Sequence, residues 1–413
     1  MSTKQSVLVL GAGMVGTCTA VHLARRGHEV TLVDRGEPGR ETSYGNAGII
    51  QREAVEPYPF PQDWGVIARA ALRRGTAVNY HAGALPSLAR ALAGYWFNSR
   101  PARHGTISQA YTRLIEHALT EHAQLIDAAG ASDLVRREGY RFVFREKASL
   151  EREAAHAQAL ASSHGLRHAV MDSDALAQAE PGLRMRLAGA IHWLDPWSVS
   201  DPGALVERYA ALLAREGGRM VRGDAATLQA TGTGWRVNTD AGAVDAAHAV
   251  VALGPWSGAL LKTLGYNLPL FVKRGYHRHY RGGTAPQLAA YDVDAGYVLA
   301  PMRQGVRLTT GAEFALLDAP ATPVQLAKVE VLARQLFDLP EPVEAQPWVG
   351  ARPCTADMLP VIGAAPRHRG LGFHFGHAHQ GFTLGPVSGR LLAELLEGQA
   401  TVVDPKPYAP QRF

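Results

Sequence analysis

Two glycine-rich stretches carry the residues best suited to chemistry, GAGMVG at Gly11 to Gly16 and GHAHQGFTLGP at Gly376 to Pro386. The first has the GxGxxG spacing and follows at once on an apolar run, Val7 to Leu10, that reads as a buried parallel strand. Gly11 permits a tight turn, Gly13 lets a pyrophosphate approach the backbone, and Gly16 lets a helix sit close to the strand. That helix would offer its free N–H groups and positive dipole end to phosphates. EVTLVD then supplies a second strand ending at Asp34. A carboxylate there can accept hydrogen bonds from both ribose hydroxyls and would repel a 2′-phosphate. Ala12, Met14, Val15 and Arg35 complete this expected dinucleotide cradle.

The next stretch, RGEPGRETSYGNAGII, is polar and glycine-rich and has neither helix nor strand period. A simple nicotinamide dehydrogenase would place a crossover helix here. An extended loop through Thr42, Ser43, Asn46, Ala47, Gly48 and Ile49 can instead follow a longer cofactor from its pyrophosphate to a flavin ring. The late stretch, also glycine-rich, suits backbone brought close to something flat or charged.

The elements that must position these residues follow from the rest of the chain. Its 413 residues are 46% hydrophobic and 19% charged, enough for a large core and two to three domains. Net charge is +5, but the two signs are interspersed, so nucleic acid is not an expected partner. A weak attraction to acidic membrane surfaces is compatible with that charge. The apolar runs are too short for a transmembrane helix, and the N-terminal run leads straight into the glycine motif, unlike a signal peptide. Two cysteines, Cys18 and Cys354, argue against a disulfide framework and fit a reducing cytoplasm. Residues 60–145 read as helices, with Tyr95, Trp96 and Phe97 a packed helix end or an interfacial membrane helix. From about 265 the alternation is β-like, in LPLFVKRGYHRHY, GYVLAPMR and GVRLTTGAEFA. On the first of these, His277 and His279 share one face and Tyr276 takes the other.

As an ordered set, GAGMVG with Asp34, TSYGNAG, VVALGPWS at 250–257, KRGYH at 273–277, WVGARPCTADMLPVIG at 348–363 and GHAHQGFTLGP resemble the FAD-dependent D-amino acid oxidase and dehydrogenase superfamily. The branch most similar is that of bacterial D-amino acid dehydrogenases and D-hydroxyproline dehydrogenase subunits. The resemblance implies an α/β fold. A Rossmann-like FAD domain (1–60, 145–260 and 345–413) would interleave with a substrate domain (61–144 and 261–344) built on an antiparallel sheet. It implies FAD bound without a covalent link, since TSYGNAG has no histidine and the attachment cysteine of some relatives falls near Gly350. Backbone N–H groups of Gly381, Phe382, Thr383 and Leu384 would face the flavin, with a helix from about Pro386. Ala225 and Gly254 would line the cofactor.

For catalysis the resemblance points to Arg352, whose fork suits a substrate carboxylate; the alternative is an ion pair with Asp357. Tyr276, His277, Tyr297 and His379 are further candidates for the substrate. Glu53 and Glu56 are read as structural. The histidines 374, 377 and 379 lack a zinc-like spacing, so no metal is expected. The implied reaction is hydride loss from Cα of a D-amino acid or cyclic imino acid to flavin N5. Electrons would pass to a quinone or a protein partner, and an oligomer or a place at the inner membrane face is compatible with this. Sarcosine oxidases carry an oxygen-activating lysine where Arg307 stands, which favours a dehydrogenase. A secondary-amine oxidase and an electron-transfer subunit stay open as alternatives.

Overall fold

The apolar runs read as strands assemble a twisted parallel sheet. In the computed structural model, which describes residues 4–413, Ser6–Leu10 lies between Glu29–Asp34 and His248–Val251. Arg219–Ala230 adds beyond Glu29–Asp34, and Leu371–Phe375 beyond His248–Val251. Antiparallel strands close both edges, giving eight strands among the described residues. Residues 1–3, the head of the stretch read above as no signal peptide, lie outside the described residues.

The helix Met14–Arg25 packs across this sheet against the C-terminal helix Gly381–Glu397. Their approach is set by Gly389, where a Cβ would lie 2.9 Å from Thr19 N. The 29-residue helix Pro101–Ala129 and the helix Pro202–Arg215 cover the same layer.

A second, larger sheet is organised by the twelve-residue strand Leu270–Arg281. It pairs antiparallel with Gly305–Thr309, Ala312–Phe314 and Trp348–Thr355. Tyr140–Phe144, Gly189–Trp193, Ala290–Asp292 and Tyr297–Met302 belong to the same sheet. Its outer face packs on the helix Val324–Leu336 around Tyr276, Tyr280 and Leu308.

One expected boundary moves. The C-terminal helix begins at Gly381, not near Pro386, and Pro386 lies inside it. Proline removes the N–H that would have bonded the carbonyl four residues back. Here that carbonyl, Phe382 O, takes a hydrogen bond from His122 Nε2 at 3.0 Å instead. The aromatic cluster at 95–97 is divided: Tyr95 is buried in a small core with Phe271 and Cys354, and Phe97 is exposed.

Gly389→Val should drive a side chain into the backbone of the Met14–Arg25 helix. We expect a loss of about 1–3 kcal/mol in urea unfolding, as for overpacked cores. An unchanged midpoint would show that the two helices can part without cost.

Candidate active site

A cavity of about 740 Å³ runs between the two sheets, from Gly11 and Asp34 at one end to Gly275 and Arg352 at the other. Its first half is a fit for an ADP-bearing cofactor. Gly11 adopts φ +106°, and a Cβ there would sit 2.5 Å from Ala252 O. At Gly16 a Cβ would be 1.9 Å from Gly11 O, so only glycine lets turn and helix close. The helix N-cap, Gly13, has no side chain over the first-turn N–H groups. Ser43 Oγ accepts from Met14 N at 2.9 Å, bringing the extended loop against that end. Asp34 stands at the end of its strand, half-buried, accepting from Ala12 N at 2.7 Å and Gly36 N at 2.9 Å. It also lines the cavity. Arg35 lies 4.5 Å over the Trp256 ring, beside Ala225 and Gly254.

The loop through Thr42 to Ile49 continues along the wall. Asn46 Oδ1 accepts from Gly48 N at 2.8 Å, and Thr42 Oγ1 donates to Ala351 O at 3.0 Å. Arg307, buried, donates to Tyr44 O at 2.7 Å and to His279 Nε2 at 2.9 Å, while His279 Nδ1 pairs with Glu344. His277, His279 and Glu344 are close enough to share a metal ion. Both ring nitrogens of His279 are already committed, however, one of them to a guanidinium. Glu344, His279 and Arg307 therefore form a hydrogen-bonded brace, in which His277 takes no hydrogen bond. His277 stacks on Trp348, centroids 4.7 Å apart. Among the C-terminal residues, Gly381 and Phe382 line the cavity, while Thr383 Oγ1 accepts from Gln51 N at 3.2 Å. Leu384 is buried in the core.

The other half is a chamber around Arg352. Its guanidinium donates only to main-chain carbonyls: Arg274 O at 3.3 Å, Gly311 O at 3.1 Å and Thr310 O at 3.4 Å. Asp357 instead pairs with Arg412 at 2.7 Å, so the alternative partner of Arg352 is taken. Enclosure lowers the guanidinium's pKa below its ordinary value. His379 stands beside it, its ring 5.1 Å from that of Tyr58. Burial, then Arg352 and Lys273, push His379 well below the usual histidine range, so it is neutral at pH 7. Tyr58 is 48% accessible although it lines the cavity, so the surface it shows is chamber wall.

The remaining candidates are scattered. Tyr276 turns its hydroxyl to Glu313 Oε2 at 2.8 Å, on the opposite face of its strand from Arg352. Tyr297 OH accepts from Arg145 at 3.2 Å. His377 bonds Ser388 and His374 bonds Thr19, both toward the helices. Glu53 is buried behind the wall, taking bonds from Tyr140 OH and Gln51 Nε2, each at 2.6 Å. Burial raises its carboxyl above the usual range. The sequence reading missed Gln51, Tyr58, Tyr140, Tyr291 and Lys273 as wall residues. Gln51, Tyr58, Tyr140 and Tyr291 lie outside the quoted motifs; Lys273 opens KRGYH, and a lysine in an apolar, alternating strand was its signal.

The family model described as FAD dependent oxidoreductase, DAO, matches residues 6–395. A D-amino-acid oxidase of Bradyrhizobium diazoefficiens is 31% identical, over 100% of both chains. A D-amino acid dehydrogenase of Chromohalobacter salexigens is 31% identical over 97% of each. The glycine oxidase of Geobacillus kaustophilus superposes with TM-score 0.73 at 22% identity, covering 99% of this chain and 100% of that one, a likeness of fold.

Asp34→Asn keeps one acceptor and turns an N–H₂ toward a backbone donor. It should cost about 1–3 kcal/mol of FAD affinity, read by titrating apoprotein with FAD. An equal dissociation constant would remove Asp34 from the ribose site. Acid precipitation of the wild type should leave FAD free in the supernatant, and colour retained by the pellet would instead mean a covalent link.

Proposed function

The chain belongs to the DAO family of FAD-dependent oxidoreductases, and from that premise we propose that it dehydrogenates a D-amino acid or cyclic imino acid at its Cα–N bond. The observation that carries this reading is the Arg352 guanidinium, enclosed beside the cavity with carbonyls but no carboxylate around it. A substrate carboxylate would complete its fork with two parallel N–H···O bonds. FAD, when bound, supplies the two-electron acceptor for hydride leaving Cα. The chain's own residues do the rest. Gly11 to Gly16, Asp34 and the loop at 42–49 hold the cofactor. Arg352 fixes which face of Cα is presented. Neutral His379 and the Tyr58 ring wall the chamber without adding a further positive charge, which would oppose the positive charge that grows on the Cα–N unit as hydride leaves. The names of the relatives, D-amino-acid oxidase and D-amino acid dehydrogenase, support the D configuration.

A quinone-like or protein acceptor is supported by Arg307. Where sarcosine oxidases carry a lysine, its guanidinium is bonded to Tyr44 O and His279 and braces the loop. Among the described residues no helix is long and apolar enough to cross a membrane. The helix Trp64–Ala71 lines the cavity through Ile67 and Ala70, while Trp64 is 73% accessible and the following Leu72 63%. This supports docking at a membrane surface, where a quinone would be met.

Anaerobic flavin bleaching against D- and L-amino acids, proline analogues and N-methyl amines tests the reading. D-amino or D-imino acids should bleach, and bleaching confined to L-acids or to amines without a carboxylate would overturn it. Arg352→Lys keeps the charge and loses the fork. It should lower kcat/KM by roughly 10- to 1000-fold with flavin content intact. An unimpaired lysine variant would make Arg352 structural. Reduced enzyme should reoxidise far faster with a quinone or phenazine dye than with air, and rapid peroxide formation would favour the oxidase reading.

A further inference from the structure

The chamber holds a second cation that the reaction does not require. Lys273 lies directly opposite Arg352 in the antiparallel register of Leu270–Arg281 and Trp348–Thr355. Residues so paired project to the same face, with Cβ atoms about 4.5–5.5 Å apart. Lys273 is 6% accessible and lines the cavity. Its Nζ donates to Tyr95 OH at 2.7 Å and sits 4.0 Å above that ring. Tyr95 OH in turn donates to Tyr58 O at 2.6 Å, so the phenol is oriented to accept from the ammonium. The other ammonium hydrogens have no bonded partner among the described residues.

The two cationic heads do not converge. A Cβ at Gly275 would lie 2.7 Å from each terminal nitrogen of Arg352, so the guanidinium runs along the strand over Gly275. The ammonium is instead held at Tyr95, on the helix Leu85–Asn98. Burial lowers both pKa values, that of Lys273 to about 8, and no carboxylate is among the charges that offset this. One substrate carboxylate on Arg352 leaves the ammonium unpaired, and an unpaired enclosed charge is costly.

We propose that Arg352 and Lys273 are two separate anion positions, and that the preferred substrate is an amino or imino acid bearing a second carboxylate. This rests on the reading of the chamber as an amino-acid site. Lys273 would take the side-chain or N-linked carboxylate, and Arg352 the one on Cα. Tyr58 and His379, between them, would pack against the connecting carbons.

The test is binding without turnover, using FAD-loaded enzyme and the shift in flavin absorbance or melting temperature. Succinate and butyrate have equal length and differ by one carboxylate. Wild type should bind succinate at least about tenfold more tightly, a difference of about 1.4 kcal/mol. Lys273→Met should bring the ratio close to one, and Lys273→Gln serves if the methionine variant fails to retain flavin. Equal binding of the two acids by wild type overturns the proposal. So does a variant that loses both alike with the ratio kept, because Lys273 would then grip the same carboxylate as Arg352 or only support it. With substrates, D-aspartate should bleach the flavin at lower concentration than D-asparagine. Bleaching by D-alanine with no preference for D-aspartate sinks the second site alone. Absence of bleaching by every amino acid sinks the functional reading, while the succinate–butyrate ratio still reports on the two cations.

Discussion

The second sheet is built around a guanidinium enclosed without a carboxylate. Three carbonyls, from Arg274, Thr310 and Gly311, partly replace the water that Arg352 loses. Arg274 lies within the long strand, and Thr310 and Gly311 in the connection between Gly305–Thr309 and Ala312–Phe314, so strand and connection must meet at one point. The register of Leu270–Arg281 with Trp348–Thr355 achieves this, and it admits no slip, since moving one residue would send every side chain to the other face. Gly275 is the corollary, because any side chain there would occupy the space of the guanidinium. An anion would complete the hydrogen bonding of this guanidinium, so the constraint that shapes the sheet also leaves a place for one in the chamber.

The register also ties the substrate half to the cofactor half. Two residues beyond Gly350, on the face that carries Arg352, the Trp348 ring fills the space a Cβ at Gly45 would need. His277 stacks on that ring and Arg307 bonds the carbonyl of Tyr44. Glu344, His279 and Arg307 form one chain of hydrogen bonds ending on the loop that follows the cofactor. A neutral His279 fits both neighbours: it donates from Nδ1 to the carboxylate and accepts at Nε2 from the guanidinium. Burial, and then the repulsion from Arg307, hold the ring in that state.

Much of the cofactor half was legible in the sequence, because its constraints are local. Strand, tight turn, helix and Asp34 lie within thirty-odd residues, and each glycine has one physical reason to be there. The long-range facts were not legible. That Asp357 would go to Arg412, leaving Arg352 without a carboxylate partner, depends on the last residues folding back. Strand alternation separated Tyr276 from His277 and His279, but only the packing around Glu313 showed that Tyr276 serves the outer core. The C-terminal helix was expected from about Pro386, a residue that suits a first helical turn, but it begins at Gly381. The donor that replaces the proline's missing N–H, His122, sits on a helix far away in the chain. Tyr58, Gln51 and Tyr140 belong to no motif, and they became wall residues only when loop and sheet met.

These long-range joints make cofactor binding and folding one process. The cradle is assembled from the first forty residues, the loop after them and the last forty, and its seams are tertiary. Thr19 Oγ1 meets His374 Nδ1 at 2.7 Å, Gln380 Nε2 meets Gln51 Oε1 at 2.6 Å, and Gly389 lets two helices touch backbone to backbone. Each seam joins segments far apart in the chain, so a cofactor site built from these segments needs the native fold. A ligand that binds only the native fold stabilises it by RT ln(1 + [L]/Kd), about 4 kcal/mol at a thousandfold excess over Kd. Loosening any seam therefore weakens FAD binding, and losing FAD loosens every seam. Damage at the remote helix crossing and damage at Asp34 would then converge on one phenotype, loss of flavin, although only Asp34 lines the cavity.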